Sequence, residues 1–157
     1  MVTAMKVVAL NGSPHKEGNT HHALQAVCAQ LEAEGIETEI IWVGGHEIKA
    51  CKGCNMCARN RDEKCVLQGD PVNEWIQKMK EADGILLGAP VHYAGMAAGF
   101  KAFLDRAFYV CGNSGNLLRH KVGAAVTAVR RSGGVSTVDG LYHYLTYSEM
   151  LLPTSNY

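Results

Sequence analysis

Short, unbroken apolar runs alternate with segments of helical period along this chain, and that alternation narrows the folds open to it. Residues 6–10 read KVVAL, a strand apolar on both faces. Residues 19–35 follow with Leu24, Val27, Cys28 and Leu31 on one helical face, and Gly35 suits the helix end. TEIIWV (38–43) is a second strand. Asp70 and Pro71 read as N-cap and first residue of a helix that buries Val72, Trp75, Ile76 and Met79. GILLGAP (84–90) is a third strand, and residues 95–110 a helix with Phe100, Phe103, Leu104 and Ala107 inward. KVGAAVTAV (121–129) is a fourth strand, 135–148 a helix, and EMLLP (149–153) a fifth strand. Continuously apolar strands separated by helices predict an α/β fold, a parallel sheet covered on both faces. The expectation is one domain over residues 1–157, with a cysteine-rich insertion at 44–69 and no final helix after the fifth strand.

Charge and hydropathy exclude several classes. Lys plus Arg number 15, as do Asp plus Glu, so the net charge is zero. A neutral chain without a basic run gives no electrostatic reason to expect nucleic acid or an anionic membrane as partner. No apolar stretch reaches bilayer length, and the apolar run at the N-terminus is too short for a signal peptide. The expected location is the cytoplasm, where clustered cysteines bind metal or do redox chemistry more often than they form disulfides.

Four of the six cysteines fall within CKGCNMCARNRDEKC, spaced C-x2-C-x2-C-x7-C as Cys51, Cys54, Cys57 and Cys65. Four thiolates suit an iron–sulfur cluster, tetrahedral zinc, or a reduced redox loop that binds nothing. The ferredoxin run C-x2-C-x2-C-x3-C-P is excluded, because the last gap is longer and no proline follows. Lys52, Arg59, Arg61 and Lys64 lie nearby in sequence and would offset thiolate charge. Cys28 and Cys111 read as structural. Asp105 and Arg106 read as a local structural pair.

In open α/β sheets, ligands bind beyond the carboxyl ends of the strands. The first such loop is NGSPHKEGNT (11–20), with Ser13, Asn19 and Thr20 around Gly18 where a helix begins. A helix N-terminus offers free N–H groups and a positive dipole end to a phosphate. The loop lacks both the Walker A ending and G-x-G-x-x-G, which disfavours nucleoside triphosphate and Rossmann dinucleotide sites. The second loop, GAPVHYAGM (88–96), brings flat rings from His92 and Tyr93. The third, AVRRSGGVST (128–137), places Arg130 and Arg131 before a Gly-Gly turn. An ordinary capped turn, a packed turn and a solvated loop tip would account for each alone; their common place at strand ends favours one shared ligand.

GSPHKEGNT, APVHYAGMAAGFKAFLDR and AVRRSGG together resemble the flavodoxin-like NADPH-dependent FMN reductases, from residue 5 to the end. The cysteine stretch is similar to that of the iron–sulfur flavoproteins. The resemblance implies a three-layer sandwich with a five-stranded parallel sheet in order 2-1-3-4-5, and FMN at the strand ends. By matching positions, Ser13, His15, Gly18, Asn19 and Thr20 would cradle the phosphate. Pro90, Val91, His92, Tyr93 and Ala94 would line the ribityl chain and ring. Ala128, Arg130, Gly133 and Gly134 would close over the ring edge. His92 departs from the aromatic residue, often Tyr, usual in such loops. Cys51, Cys54, Cys57 and Cys65 would hold a [4Fe–4S] cluster. The implied activity is flavin-dependent oxidoreduction: NAD(P)H reduces FMN, and electrons pass to a small-molecule or protein acceptor. An electron carrier without nicotinamide turnover is the alternative. No protein acid–base residue is assigned; His92 and Tyr93 are the nearest candidates. A homodimer or homotetramer is the implied assembly.

Overall fold

A computed structural model describes residues 4–154. Its elements in chain order are β1 (Lys6–Asn11), α1 (Asn19–Ala33), β2 (Glu37–Trp42), α2 (Met56–Asn60), α3 (Val72–Glu81), β3 (Gly84–His92), β4 (Gly95–Met96), α4 (Ala98–Asn113), β5 (Val122–Ala128) and α5 (Gly134–Tyr147). β1 pairs in parallel with β2 on one side and β3 on the other, and β3 pairs in parallel with β5. Leu151 adds an isolated parallel bridge to Val122 beyond β5, through Leu151 N–H to Lys121 O and Gly123 N–H to Leu151 O, both 2.9 Å. The parallel order therefore agrees with 2-1-3-4-5, the fifth place being held by that single bridge.

Two boundaries differ from the sequence reading. The helix expected from residue 95 begins at Ala98, because Gly95 and Met96 fold back on β3 as a short antiparallel strand. Asp70 does not cap α3, whose boundary residue is Pro71 with no side-chain cap. Its carboxylate is taken by Arg106 instead, as described below.

The two faces carry separate apolar layers. Ala9 and Leu86 of the sheet meet Leu24 and Cys28 of α1. Val8, Leu10, Ile85 and Leu87 alternate to the other side and meet α3 and α4 through Ile76, Met79, Phe100, Phe103 and Leu104. The predicted inward faces of α3 and α4 are all buried. Each such side chain contributes roughly 1.5–3 kcal/mol by leaving water. Among the described residues no helix is long and apolar enough to cross a membrane.

Candidate functional site

The loops after β1, β3 and β5 lie side by side at the carboxyl edge of the sheet. Gly12 N–H donates to Gly88 O at 2.8 Å, tying the first loop to β3. Asn11 is fully buried at the end of β1 and organises that loop. Its Oδ1 accepts from Ser13 N–H at 3.0 Å, its Nδ2 donates to Lys16 O at 3.2 Å, and its carbonyl accepts from Val43 and Gly44. Ser13 Oγ accepts from His15 N–H at 3.1 Å, and Ser13 O accepts from Trp42 Nε1 at 2.8 Å. The turn thus delivers the chain into α1 through Gly18, which is extended and supplies no side-chain cap. The free N–H groups of the first turn form the positive end of the helix dipole. Thr20 Oγ1, in that turn, is buried without a hydrogen-bond partner. An uncapped helix start beside a buried, unpaired hydroxyl fits a phosphate.

β3 runs on past the sheet, and Tyr93 and Ala94 turn it into β4. Both have positive φ, 49° and 67°, and His92 pairs with Gly95 across them, a two-residue hairpin. His92 and Tyr93 are exposed. The third loop closes on this hairpin. Ser136 Oγ donates to Ala94 O at 2.9 Å. Gly133 has φ of 86°, and a Cβ there would lie 2.7 Å from Ala94 Cα and 2.8 Å from Val91 Cγ1. Pro90 and Ala128 are register partners on β3 and β5. Val91, Ala94, Gly133 and Gly134 therefore form one rim, while Arg130 is exposed at the loop tip. Thr137 Oγ1, in the first turn of α5, is a second buried hydroxyl without a partner.

The cysteine segment forms its own site between β2 and α3. Cys51, Cys54, Cys57 and Cys65 all line one cavity of about 20 Å³, with Arg106 and Tyr109. Cys51 and Cys54 are exposed on a loop, Cys57 is buried in α2, and Cys65 is half-buried. Among the described residues no three His, Cys, Asp or Glu side chains stand in metal-ligating arrangement. The donor set fits a thiolate-bound centre. Gly53 and Asn55, both at positive φ, shape the exposed 51–55 loop that carries two of the four thiols.

Neighbouring elements anchor this segment. Asn73 of α3 accepts from Cys65 N–H at 2.7 Å and donates to Cys65 O at 2.9 Å. Tyr109 OH donates to Asn55 Oδ1 at 2.6 Å. Arg106 donates to Lys49 O at 3.1 Å, Leu67 O at 3.1 Å and Asp70 Oδ2 at 2.5 Å. Both side chains of the Arg106–Asp70 pair are buried, at 0% and 1% exposure. Burial pushes the Asp70 carboxyl up, but its bonds to Arg106 and to Lys49 N–H hold it below the ordinary range. Burial lowers the Arg106 pKa, and the bond to Asp70, with the Cys65 side chain close by, outweighs it.

Asp105 and Arg106 are thus not a local pair. Asp105 binds Lys101 at 2.8 Å and Tyr144, while Arg106 points into the core. The sequence reading missed Asn11, Asn73 and the Arg106–Asp70 pair. The spacing did carry a signal for Arg106, which lies three residues after Phe103 and four before Val110, on the apolar side of α4. Lys52, Arg59, Arg61 and Lys64, the cations expected around the thiols, are all exposed. A groove of about 770 Å³ lies between the last turns of α4 and α5 and is lined by Phe108, Tyr109, Tyr144 and Tyr147. It contains none of the strand-end loops.

Residues 5–157 match the NADPH-dependent FMN reductase family. The chain belongs to that family. An iron–sulfur flavoprotein of Methanocaldococcus jannaschii is 39% identical over 98% of this chain and 80% of its own length. A second iron–sulfur flavoprotein, from Methanosarcina thermophila, is 29% identical over 97% of this chain and 78% of that one. Among solved structures, the flavoenzyme NAD(P)H:(acceptor) oxidoreductase FerB from Paracoccus denitrificans aligns with a TM-score of 0.72 at 14% identity, covering 98% of this chain and 78% of that one. The family is one of flavin-binding oxidoreductases with a flavodoxin-like fold.

Proposed function

We propose that this chain is an NAD(P)H-dependent flavin oxidoreductase that passes electrons from FMN to a small-molecule or protein acceptor. The observation that carries the reading is the Thr20 hydroxyl, buried and unpaired at an uncapped helix start, beside two loops that close on one another. Ser13, His15, Gly18, Asn19 and Thr20 would hold the phosphate. Pro90 to Ala94, with Ala128, Arg130, Gly133 and Gly134, would border the ring. FMN, when bound, supplies hydride acceptance and onward electron transfer. The chain's own part is to fix the phosphate by N–H and hydroxyl donors and to hold the rim rigid. His92 and Tyr93 stand near enough in sequence to meet a ring edge, and no proton transfer is assigned to them.

Cys51, Cys54, Cys57 and Cys65 would hold a [4Fe–4S] cluster, which supplies one-electron transfer when present. The relatives' names as iron–sulfur flavoproteins and the shared cavity support this part of the reading. A homodimer or homotetramer belongs to the same proposal. The test is anaerobic purification followed by absorption spectroscopy, metal and acid-labile sulfide analysis, and NADPH and NADH oxidation with artificial acceptors. Bound flavin with nicotinamide turnover is expected. Flavin without turnover would make the chain an electron carrier, and no flavin uptake from added FMN would sink the reading.

A further inference from the structure

Arg106 makes three bonds that converge on the two ends of the cysteine segment. Lys49 O precedes Cys51 by two residues, and Leu67 O follows Cys65 by two. Asp70 holds the guanidinium from below, and its backbone neighbour Lys49 also donates to it, Lys49 N–H to Asp70 Oδ2 at 3.2 Å. One buried cation therefore closes the neck of the loop that carries all four thiols. Arg106 also lines the thiol cavity itself. Its Nε–H is buried and has no acceptor among the described residues. An unpaired buried N–H costs free energy comparable to a lost hydrogen bond, and the cavity that Arg106 lines also carries the four cysteine side chains. The guanidinium's charge is balanced inside the fold by the Asp70 carboxylate, itself 1% exposed, so the free Nε–H is what Arg106 has left to offer.

We propose that Arg106, held by Asp70, is a positioning residue for the centre carried by Cys51, Cys54, Cys57 and Cys65: it fixes both ends of their segment and offers its Nε–H to sulfur. This rests on the cluster reading above. An N–H···S bond favours the more negative, reduced form of a thiolate-ligated cluster, and so raises its reduction potential. Lysine could retain the charge but not the planar fork that reaches three acceptors.

The experiment compares the wild-type chain with Arg106→Lys and with the double variant Asp70→Asn/Arg106→Met, which leaves no buried carboxylate stranded. Each is reconstituted anaerobically with FMN, iron and sulfide. Iron and sulfide per chain, FMN uptake and the cluster's midpoint potential are then measured. All three are expected to take up FMN. Arg106→Lys should load iron with a midpoint shifted slightly negative, and the double variant should load less iron, with a larger negative shift in the loaded fraction. Reduced loading at an unchanged midpoint would leave Arg106 a merely structural anchor and overturn the proposal. Wild-type loading and midpoint in the double variant would overturn it too. Should the double variant fail to take up FMN, the Arg106→Lys midpoint decides, and a value equal to wild type overturns the proposal. A wild-type chain that binds FMN but neither iron nor sulfide would instead remove the cluster reading itself, and this inference with it.

Discussion

The Thr20 hydroxyl is buried in the first turn of α1 and spends no hydrogen bond on the chain. Replacing it by valine keeps the shape and removes an unsatisfied polar group, so stability should hold or rise by about 1 kcal/mol. A hydroxyl that serves a phosphate behaves oppositely toward ligand: hydrogen bonds to charged groups contribute about 1.5–3 kcal/mol, so FMN affinity should fall about tenfold or more. Thermal melts and flavin-fluorescence titration of Thr20→Val read both signs. Equal affinity in the two proteins would remove Thr20 from the cradle. Gly133 offers a second contrast at this scale. Its φ of 86° penalises any side chain, and a Cβ would also strike the hairpin at Ala94. Gly115 has φ of 94° with nothing within 4 Å of an added Cβ. Gly115→Ala should cost only the left-handed backbone, about 1–2 kcal/mol. Gly133→Ala should cost more and weaken FMN binding as well, checked by urea denaturation beside a flavin titration.

At the scale of elements, the β3–β4 hairpin turns on two residues that dislike its geometry. Tyr93 and Ala94 both occupy positive φ, where Asn and Gly are preferred. Tyr93→Asn/Ala94→Gly should therefore raise the stability of the flavin-free protein by about 1 kcal/mol, seen as a higher melting temperature. A lower one would mean that the Tyr93 ring, though exposed, contributes packing. The hairpin also marks where the sequence was silent. The strands and helices with strong periodicity were legible, because burial on one or both faces dictates their pattern: α3 buries Val72, Trp75, Ile76 and Met79 as the spacing requires. β4 is two residues long and follows a proline-containing run, so no period announces it. The fifth strand was over-read, since EMLLP is apolar enough for a strand but only Leu151 bridges Val122. Asp70 before Pro71 has the form of a helix cap, and a buried arginine thirty-six residues later in sequence claimed it instead. Long-range ion pairs leave no local signature, so the strand-end loops could be found from sequence and the clamp on the cysteine segment could not.

For the whole molecule, the buried ionisable groups set how stability follows pH. Burial pushes the Cys111 thiol up from 9.0 to about 12. A raised folded value means that the unfolded chain loses its proton first, so stability is full below pH 9 and falls as pH climbs toward 12, by about 1.4 kcal/mol per pH unit. Tyr144 is raised by burial and by Asp105, and Lys101 by its bond to Asp105, so both add to the alkaline loss from a higher starting point, near pH 10. Asp70 acts at the other end. Its folded value lies below 3.8, so its contribution is present above that pH and is lost as pH falls through the folded value. The two limbs separate by mutation. Cys111→Ala lowers stability at neutral pH through a small cavity, yet it removes the contribution of the most strongly raised thiol to the alkaline loss. Urea midpoints measured from pH 7 to pH 11 should then fall less steeply above pH 9 in the variant than in the wild type, the remaining loss coming from Cys28 and Cys57, whose thiols burial also raises. Parallel curves for the two proteins would mean that Cys111 does not govern the first stage of alkaline unfolding, and Cys28 and Cys57 would take its place, ahead of the Tyr144–Asp105–Lys101 cluster at the α4–α5 groove.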